Sequence, residues 1–402
     1  MTVFTRKPTQ YLPDGCCAAD LPDVEVLDGV LVRRLIGVSC SLSLGMRLLD
    51  QLYLVFRLLA ALWTSRRSCD VLYVLSPPLL VALPGCLFGL LSGTPVVLNL
   101  HDLYPQAAID LGVLRNPFLI WLAKRLELFV YRSSTRILVA APSSVRILTS
   151  QRAVQPAKVE MLWNFVDPGS WGYSSPENEF RRRHGLSGRF VIMYAGQLGL
   201  AQDLDLLIDC ARSVASVEPW IFIVIGDGPR AEHWKARANG LENILFLSSV
   251  STVRYFDAIR AADVGLALLS PAFHAPAIPG KIQTLMAVGR PVLAAVPPEN
   301  DTHALLAAAG CGLSVPAGDR VAFLSALFRL VGDPALRNQL GQSGLEYARS
   351  HFATDVAVRK TETVLSSLAN CSQRALRRSQ SIAPRSHPPS GPSIKPGKYT
   401  GS

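Results

Sequence analysis

The stretch "HAPAIPGKIQTLMAVGRP", residues 274–291, runs a stiffened loop into a short helix with Lys281 in its first turn. Pro276 and Pro279 hold the approach and Gly280 relaxes it, so backbone N–H groups and one ammonium meet at the helix start. That combination suits an anion, a phosphate above all. Two glycine turns follow strand-like apolar runs in the same half of the chain. "FVIMYAG" leads into Gly196, Gln197 and Gly199, with Gln202 a turn later, and "WIFIVIGDG" ends in Gly226, Asp227 and Gly228. Glycine lets backbone approach a ligand closely. Loops at the carboxyl ends of parallel strands line the ligand crevice of an α/β sheet. Each turn alone is more simply a reverse turn; the three in order point to a nucleotide. Lys281 has a plain alternative as a solvated surface lysine.

In the first half, His101 closes the run "VVLNL" and Asp102 follows it. An imidazole at a strand end over a cleft can orient a sugar or a leaving phosphate by hydrogen bonding. A structural histidine is the competing reading, and Asp102 fits loop anchoring better than catalysis.

The elements that must hold these groups alternate. Residues 2–5 and 24–36 read as extended, and 44–65 as a long helix with Arg47, Asp50 and Arg57 on a polar side. Residues 71–100 carry no charge, long enough for a membrane span, but four prolines and three glycines divide them. The favoured parse is a buried strand–helix–strand unit, apolar because parallel strands are covered on both faces. Asn116-Pro117 starts a helix over 117–132, 136–141 is a strand, and Ser143 and Ser144 are candidate caps for a short helix. A polar, Pro- and Gly-containing linker with a short basic helix separates this from a second alternating series beginning at 190.

Two βα-repeating halves predict two Rossmann-like domains facing a cleft. Their expected limits are 1–165 and 189–350, joined by a linker at 166–188. A helix over 351–369 should cross back to the first domain, and a basic tail over 370–402 should be disordered. The chain opens at what reads as the second strand of such a domain. The first βα unit is therefore expected to be missing, either truly or through a misassigned start.

Composition narrows the class. At 402 residues, 49% hydrophobic and 17% charged, the chain can bury sizeable cores, which excludes disorder throughout. Its net charge of +10 is concentrated in six arginines between residues 30 and 70 and six Lys/Arg beyond 369. Basic surface suits nucleic acid, an anionic membrane or an anionic substrate. No nucleic-acid module is present, so nucleic acid is set aside. Trp63, Leu58 and Leu59 do interleave with arginines on the 44–65 helix, which fits shallow contact with an anionic inner leaflet; an ordinary solvated helix face is the alternative. The eight cysteines are scattered without metal-ligand spacing, as in a reducing compartment, and no signal sequence opens the chain.

"YAGQLGLAQDLDLLI", "VIGDGPR", "RAADVGLALL", "IPGKIQTLMAVGRPVLAA" and "GCGLSVPAGD" resemble, in order and spacing, the donor-binding half of glycosyltransferase family 4, which has the GT-B fold. "LSPPLLVAL", "LNLHDLYPQAAIDLG", "LELFVYRSSTRILV" and "MLWNFVD" resemble its exopolysaccharide and O-antigen subgroup, colanic-acid-type fucosyltransferases among them. The resemblance spans about residues 1 to 350. It implies a retaining transfer from a UDP- or GDP-linked sugar, without a bound metal or other cofactor, to a polyprenyl-diphosphate-linked saccharide at the inner face of a bacterial plasma membrane.

On that reading Lys281 and the backbone near Pro279 and Gly280 meet the donor diphosphate, and His101 lies near its sugar. The family's Arg and Lys after the first donor-domain strand are replaced by Gln197 and Gln202, and its two glutamates by Pro276 and Thr284. Gln283 or Thr284 then stands in as a ribose or sugar contact, or else is helix surface. Asn164 and Asp167 resemble the family's hinge turn. A degenerate nucleotide-binding scaffold and a GT-B sugar-nucleotide epimerase are the competing functions.

Overall fold

The computed structural model describes residues 1–7, 20–35, 44–167, 171–215 and 219–382. Among them the chain builds three sheets, and the second and third carry the two halves of a cleft.

The first sheet joins β1 (Thr2–Arg6), β2 (Val24–Leu27) and β3 (Val30–Leu35) in the order β1-β3-β2. The extended run expected over 24–36 is in fact a hairpin. Asp28 and Gly29 both take positive φ (49° and 80°), the geometry of a two-residue Asp-Gly turn between antiparallel strands. α1 (Leu44–Thr64) follows. Its Asp50 is buried and bonded to Arg6 at 2.9 Å, so it does not lie on the polar side that the sequence suggests. Leu58 is likewise buried, against Leu35 and Leu54.

The second sheet is parallel, in the order β4 (Leu72–Ser76), β5 (Val96–Leu100), β6 (Arg136–Val139) and β7 (Val159–Met161). The uncharged 71–100 stretch is the β4–α2–β5 unit, with α2 spanning Leu79–Ser92, and no described helix is long and apolar enough to cross a membrane. All five residues of β5 are buried. α3 (Gln106–Asp110) and α4 (Pro117–Ser133) lead to β6, and Asn116 caps α4 by accepting from the N–H groups of Phe118 and Leu119. α5 (Pro142–Arg146) starts with proline at its first turn, and neither Ser143 nor Ser144 caps it.

The polar linker is tied down rather than loose. Its helix α6 (Glu179–Arg183) turns Arg181 inward, where the guanidinium donates to the carbonyls of Ala261 and Arg189 and to the carboxylate of Asp263 at 2.6 Å. The third sheet runs β10 (Ile244–Leu247), β9 (Trp220–Ile225), β8 (Phe190–Ala195), β11 (Val264–Leu268), β12 (Val292–Val296), β13 (Gly312–Pro316), all parallel. That is the doubly wound order whose direction of winding reverses between β8 and β11. Helices α7 (Leu204–Val214) to α13 (Pro334–His351) cover its two faces, with α8 at Ala231–Arg237, α9 at Thr252–Arg260, α10 at Lys281–Ala287, α11 at Thr302–Ala309 and α12 at Arg320–Gly332.

α14 (Thr354–Ile382) lays Ala357, Val364 and Leu368 against Val97 and Leu138 on the second sheet, so the chain's last helix packs on its first half. The helix continues to Ile382, past residue 370 where composition suggests disorder; residues 383–402 lie outside the described residues. Val166 of the "NFVD" turn exchanges hydrogen bonds with Phe352 and Thr354, which fastens the crossing between domains.

Replacing Arg181 by Ala leaves the carboxylate of Asp263 half-buried without its cation. Unfolding in denaturant should show a loss of about 3–5 kcal/mol, as for other broken buried pairs.

Candidate active site

The two glycine turns of the third sheet are packed on each other. The N–H of Gly196 donates to Ile225, that of Leu198 to Asp227, and that of Arg230 back to Leu198. Gly226 and Gly228 have φ of 148° and 159°, and a Cβ at Gly226 would fall 1.9 Å from the carbonyl oxygen of Gly196. These glycines are required by the approach of one turn to the other, a reason the sequence does not reveal. The N–H of Gly199 is likewise taken, by Gln202 Oε1 at 3.0 Å, so Gln202 braces the turn. Gln197 is exposed, and its carbonyl accepts the hydroxyl of Tyr194 at 2.8 Å. Asp227 accepts from the N–H of Ser249, and hydrogen bonding from the Ser249 side chain, then from its backbone, holds the carboxyl below the usual range.

Lys281 arrives at this double turn from α10. Its ammonium lies 4.3 Å from the centre of the Tyr194 ring and donates to the Tyr194 hydroxyl at 3.1 Å, while its Cε and Nζ pack on Gly196. Among the described residues no carboxylate pairs with it, and burial alone lowers it to about 8. The lysine is therefore not the solvated surface residue of the bland reading. α10 has only seven residues, so the ammonium is the principal positive charge here and the helix end is secondary.

Pro279 and Gly280 form the turn before α10, with the N–H of Ile282 donating to Pro279. The next residues are not open helix surface. The Thr284 hydroxyl donates to the Lys281 carbonyl and shares a hydrogen bond with Tyr255 at 3.2 Å. Gln283 is 1% exposed, and neither end of its side-chain amide finds a partner among the described residues. An open-surface role for both is corrected: Thr284 is engaged internally, and Gln283 is enclosed beside Gly280.

On the facing domain, the His101 N–H is bonded to the Ser76 carbonyl at the end of β4. Its Nδ1 meets Asn164 Oδ1 at 3.0 Å, which joins two residues the sequence kept apart and fixes the exposed ring at the hinge. Burial pushes the Asp102 carboxyl up, opposed by the neighbouring His101.

Two contacts between domains escape sequence reasoning. Asp301 accepts from the N–H and hydroxyl of Ser143, at 2.7 and 2.5 Å, and from Arg146 at 3.2 Å. It thus caps α5 from the other domain. Asp110 accepts the His274 N–H at 3.1 Å, and the His274 ring bonds Glu299, which raises the imidazole and lowers the carboxyl. Between the contacts lies a pocket of about 360 Å³, lined by Arg146, Gln151, His274, Pro276, Glu299 and Asn300. Pro276, one of the two positions where a glutamate was expected, faces this pocket. The acid "PPEND" run after β12 is the one sequence signal that marks these residues as cleft-facing.

The architecture is that of the GT-B glycosyltransferases. Residues 189–333 match the family described as glycosyl transferases group 1, and residues 1–164 match the glycosyl transferase 4-like domain. Together these matches take in well over half of the chain, which belongs to the family 4 glycosyltransferases. A probable glycosyltransferase, WbjE of Pseudomonas aeruginosa, is 24% identical over 285 residues, covering 68% of this chain and 69% of that protein. Sucrose-phosphate synthase from Thermosynechococcus elongatus shares the fold at a TM-score of 0.72 and 17% identity, over 92% of this chain and 89% of that one. Anabaena HepE, solved in complex with UDP, aligns at 0.65 and 17% identity, over 84% and 86%.

The turn-on-turn contact gives a direct check. Gly226→Ala should lower the melting temperature through a backbone clash worth about 1–3 kcal/mol or more. Gly280→Ala, where a Cβ meets only Gln283 Oε1 at 3.9 Å, should leave it nearly unchanged.

Proposed function

We propose that the chain transfers a sugar, with retention, from a UDP- or GDP-linked donor to a polyprenyl-diphosphate-linked saccharide in bacterial exopolysaccharide or O-antigen biosynthesis. The observation that carries the donor is the Lys281 ammonium, half-buried against Tyr194 and Gly196 with no carboxylate partner among the described residues. Its position at the β8–β11 switch point is where a doubly wound sheet takes a nucleotide. A diphosphate gains negative charge as the glycosidic bond breaks. A fixed cation aimed at it lowers the barrier, and does so without a metal cofactor. HepE's complex with UDP supports a uridine nucleotide as the first donor to try.

His101, held by Asn164 on the opposite domain, is the group placed to orient the donor's sugar or its leaving phosphate. Retention and the lipid-linked acceptor rest on the resemblance to the subgroup. So does a cytoplasmic, peripheral position on an anionic membrane surface, together with the exposed Arg57, Trp63 and Arg66 of the α1 region.

Lys281→Ala should reduce turnover of UDP- or GDP-sugars by about 10²-fold or more, the loss typical of removing a charge-stabilising donor. Near-normal turnover would remove the assignment. The pH dependence has a fixed sign. Burial places the free ammonium at about 8, so a bound diphosphate favours the protonated form. UDP affinity measured by calorimetry should be flat between about pH 7, above the second ionisation of its terminal phosphate, and that value. It should weaken above it by up to about tenfold per pH unit, until the bound lysine also loses its proton. The Lys281→Arg variant should abolish that pH dependence.

A further inference from the structure

The first two turns of α4 present an apolar face to water. Phe118 is 64% exposed, Leu119 48%, Trp121 52% and Leu122 40%. Spacings of three and four place Phe118, Trp121 and Leu122 on one side of the helix, and the Phe118 and Trp121 rings stack 5.9 Å apart. A soluble surface rarely groups such side chains without an occupant.

The exposed charges of the helix layer that α4 belongs to are of one sign. α4, α2 and α1 lie side by side, since α2 packs against both of the others. α2 has no charged residue. The single acid of α1, Asp50, is buried on Arg6, and the single acid of α4, Glu127, is buried on Arg152. Lys124, Arg125, Arg57 and Arg66 are exposed. Three of the four sit over aromatic rings: Arg125 over Trp121 at 5.5 Å, Arg57 over Tyr53 at 5.7 Å and Arg66 over Trp63 at 5.2 Å. The layer thus shows aromatic rings with cations beside them and no exposed carboxylate on its three helices.

The patch also has a defined place. α4 follows β5 through the 101–116 segment, which begins at His101 and touches the other domain through Asp110. A helix that follows a parallel strand begins near that strand's carboxyl end, the side of the ligand crevice. The apolar turns of α4 therefore stand at the mouth of the cleft.

We propose that the first two turns of α4 dock the protein on an anionic phospholipid bilayer, with Phe118 and Trp121 at headgroup depth and Lys124 and Arg125 on the lipid phosphates. The proposal rests on the lipid-linked acceptor reading and moves its membrane contact from α1 to the rim of the cleft, with α1 in support. A stripe of this kind binds in the interface plane, where tryptophan rings and basic side chains are both favoured. A second copy of the chain is the poorer occupant, because a two-fold contact would bring the same cations face to face.

Co-sedimentation with vesicles of phosphatidylcholine alone, or mixed with phosphatidylglycerol, tests the proposal. The wild-type protein should bind the mixed vesicles, release in high salt and bind the neutral ones weakly. The double variant Phe118→Ser/Trp121→Ser should lose about tenfold or more of that binding, and Lys124→Glu/Arg125→Glu should lose the preference for phosphatidylglycerol. Both variants should keep the wild-type melting temperature and UDP affinity. Equal vesicle binding by wild type and the serine variant overturns the α4 assignment while leaving a membrane contact through α1. No binding by the wild type overturns both, and UDP affinity then reports on the donor reading separately. A wild-type dimer in solution that the serine variant dissociates also overturns the proposal, in favour of a self-contact.

Discussion

A lysine ammonium enclosed by a tyrosine ring and a glycine turn, with no carboxylate beside it among the described residues, is stable only while desolvation costs less than the lysine's tether gains. Its displacement from the ordinary lysine range to about 8 records that tension. Much of the donor domain's local design serves to hold it there. Gly196 has no side chain, which leaves room for the lysine stem, and Gly226 and Gly228 let the second turn press the first into place. The Tyr194 hydroxyl accepts from the lysine and donates to the Gln197 carbonyl, so one phenol links the cation to the turn it faces. An incoming dianion would relieve a cost that the free protein already carries. Differential stabilisation of that kind helps a reaction in which charge builds on the leaving group.

The domains also meet through hydrogen bonds across the cleft. Asp301, the residue before α11, caps a helix of the opposite domain, so the N–H and hydroxyl of Ser143 in α5 find their partner across the cleft. Asp110 does the same for the His274 N–H, immediately before the loop that carries Lys281. The partnerless amide of Gln283 lies under that loop. A buried amide with neither end bonded is costly.

Much of this was legible in the residues and part was not. The alternation of strands and helices, the start of α4 at Asn116-Pro117 and the order of the donor turns follow from local signals, and each reappears in the fold. Asp50 and Leu58 were misplaced because the pattern of α1 does not say which face the β1–β3 sheet will cover. Thr284 and Gln283 were read as available because a helix's first turn is usually open, and only the packing of α9 and the preceding loop encloses them. The role of Tyr194 carries no sequence signal, since an aromatic inside a buried strand looks like core. Contacts such as Asp301 with Ser143 join residues 158 positions apart, beyond any periodicity or local motif.

The division of charge across the cleft suggests how specificity is arranged. Along the third sheet, the cation of Lys281 sits where β8 and β11 adjoin, while the pocket between domains lies at the end of β12, a strand further along. Strands stand about 4.8 Å apart, so the two are offset by roughly the breadth of a sugar ring. The pocket mixes signs: Arg146 faces Asp301, and His274 faces Glu299. Paired in this way, its groups present hydrogen-bond donors and acceptors without a net field, which favours neutral hydroxyls over a second phosphate. On the proposed function, Pro276 stands where the resemblance places a carboxylate, and the sugar hydroxyls would be met by side chains of both domains rather than by the phosphate loop alone.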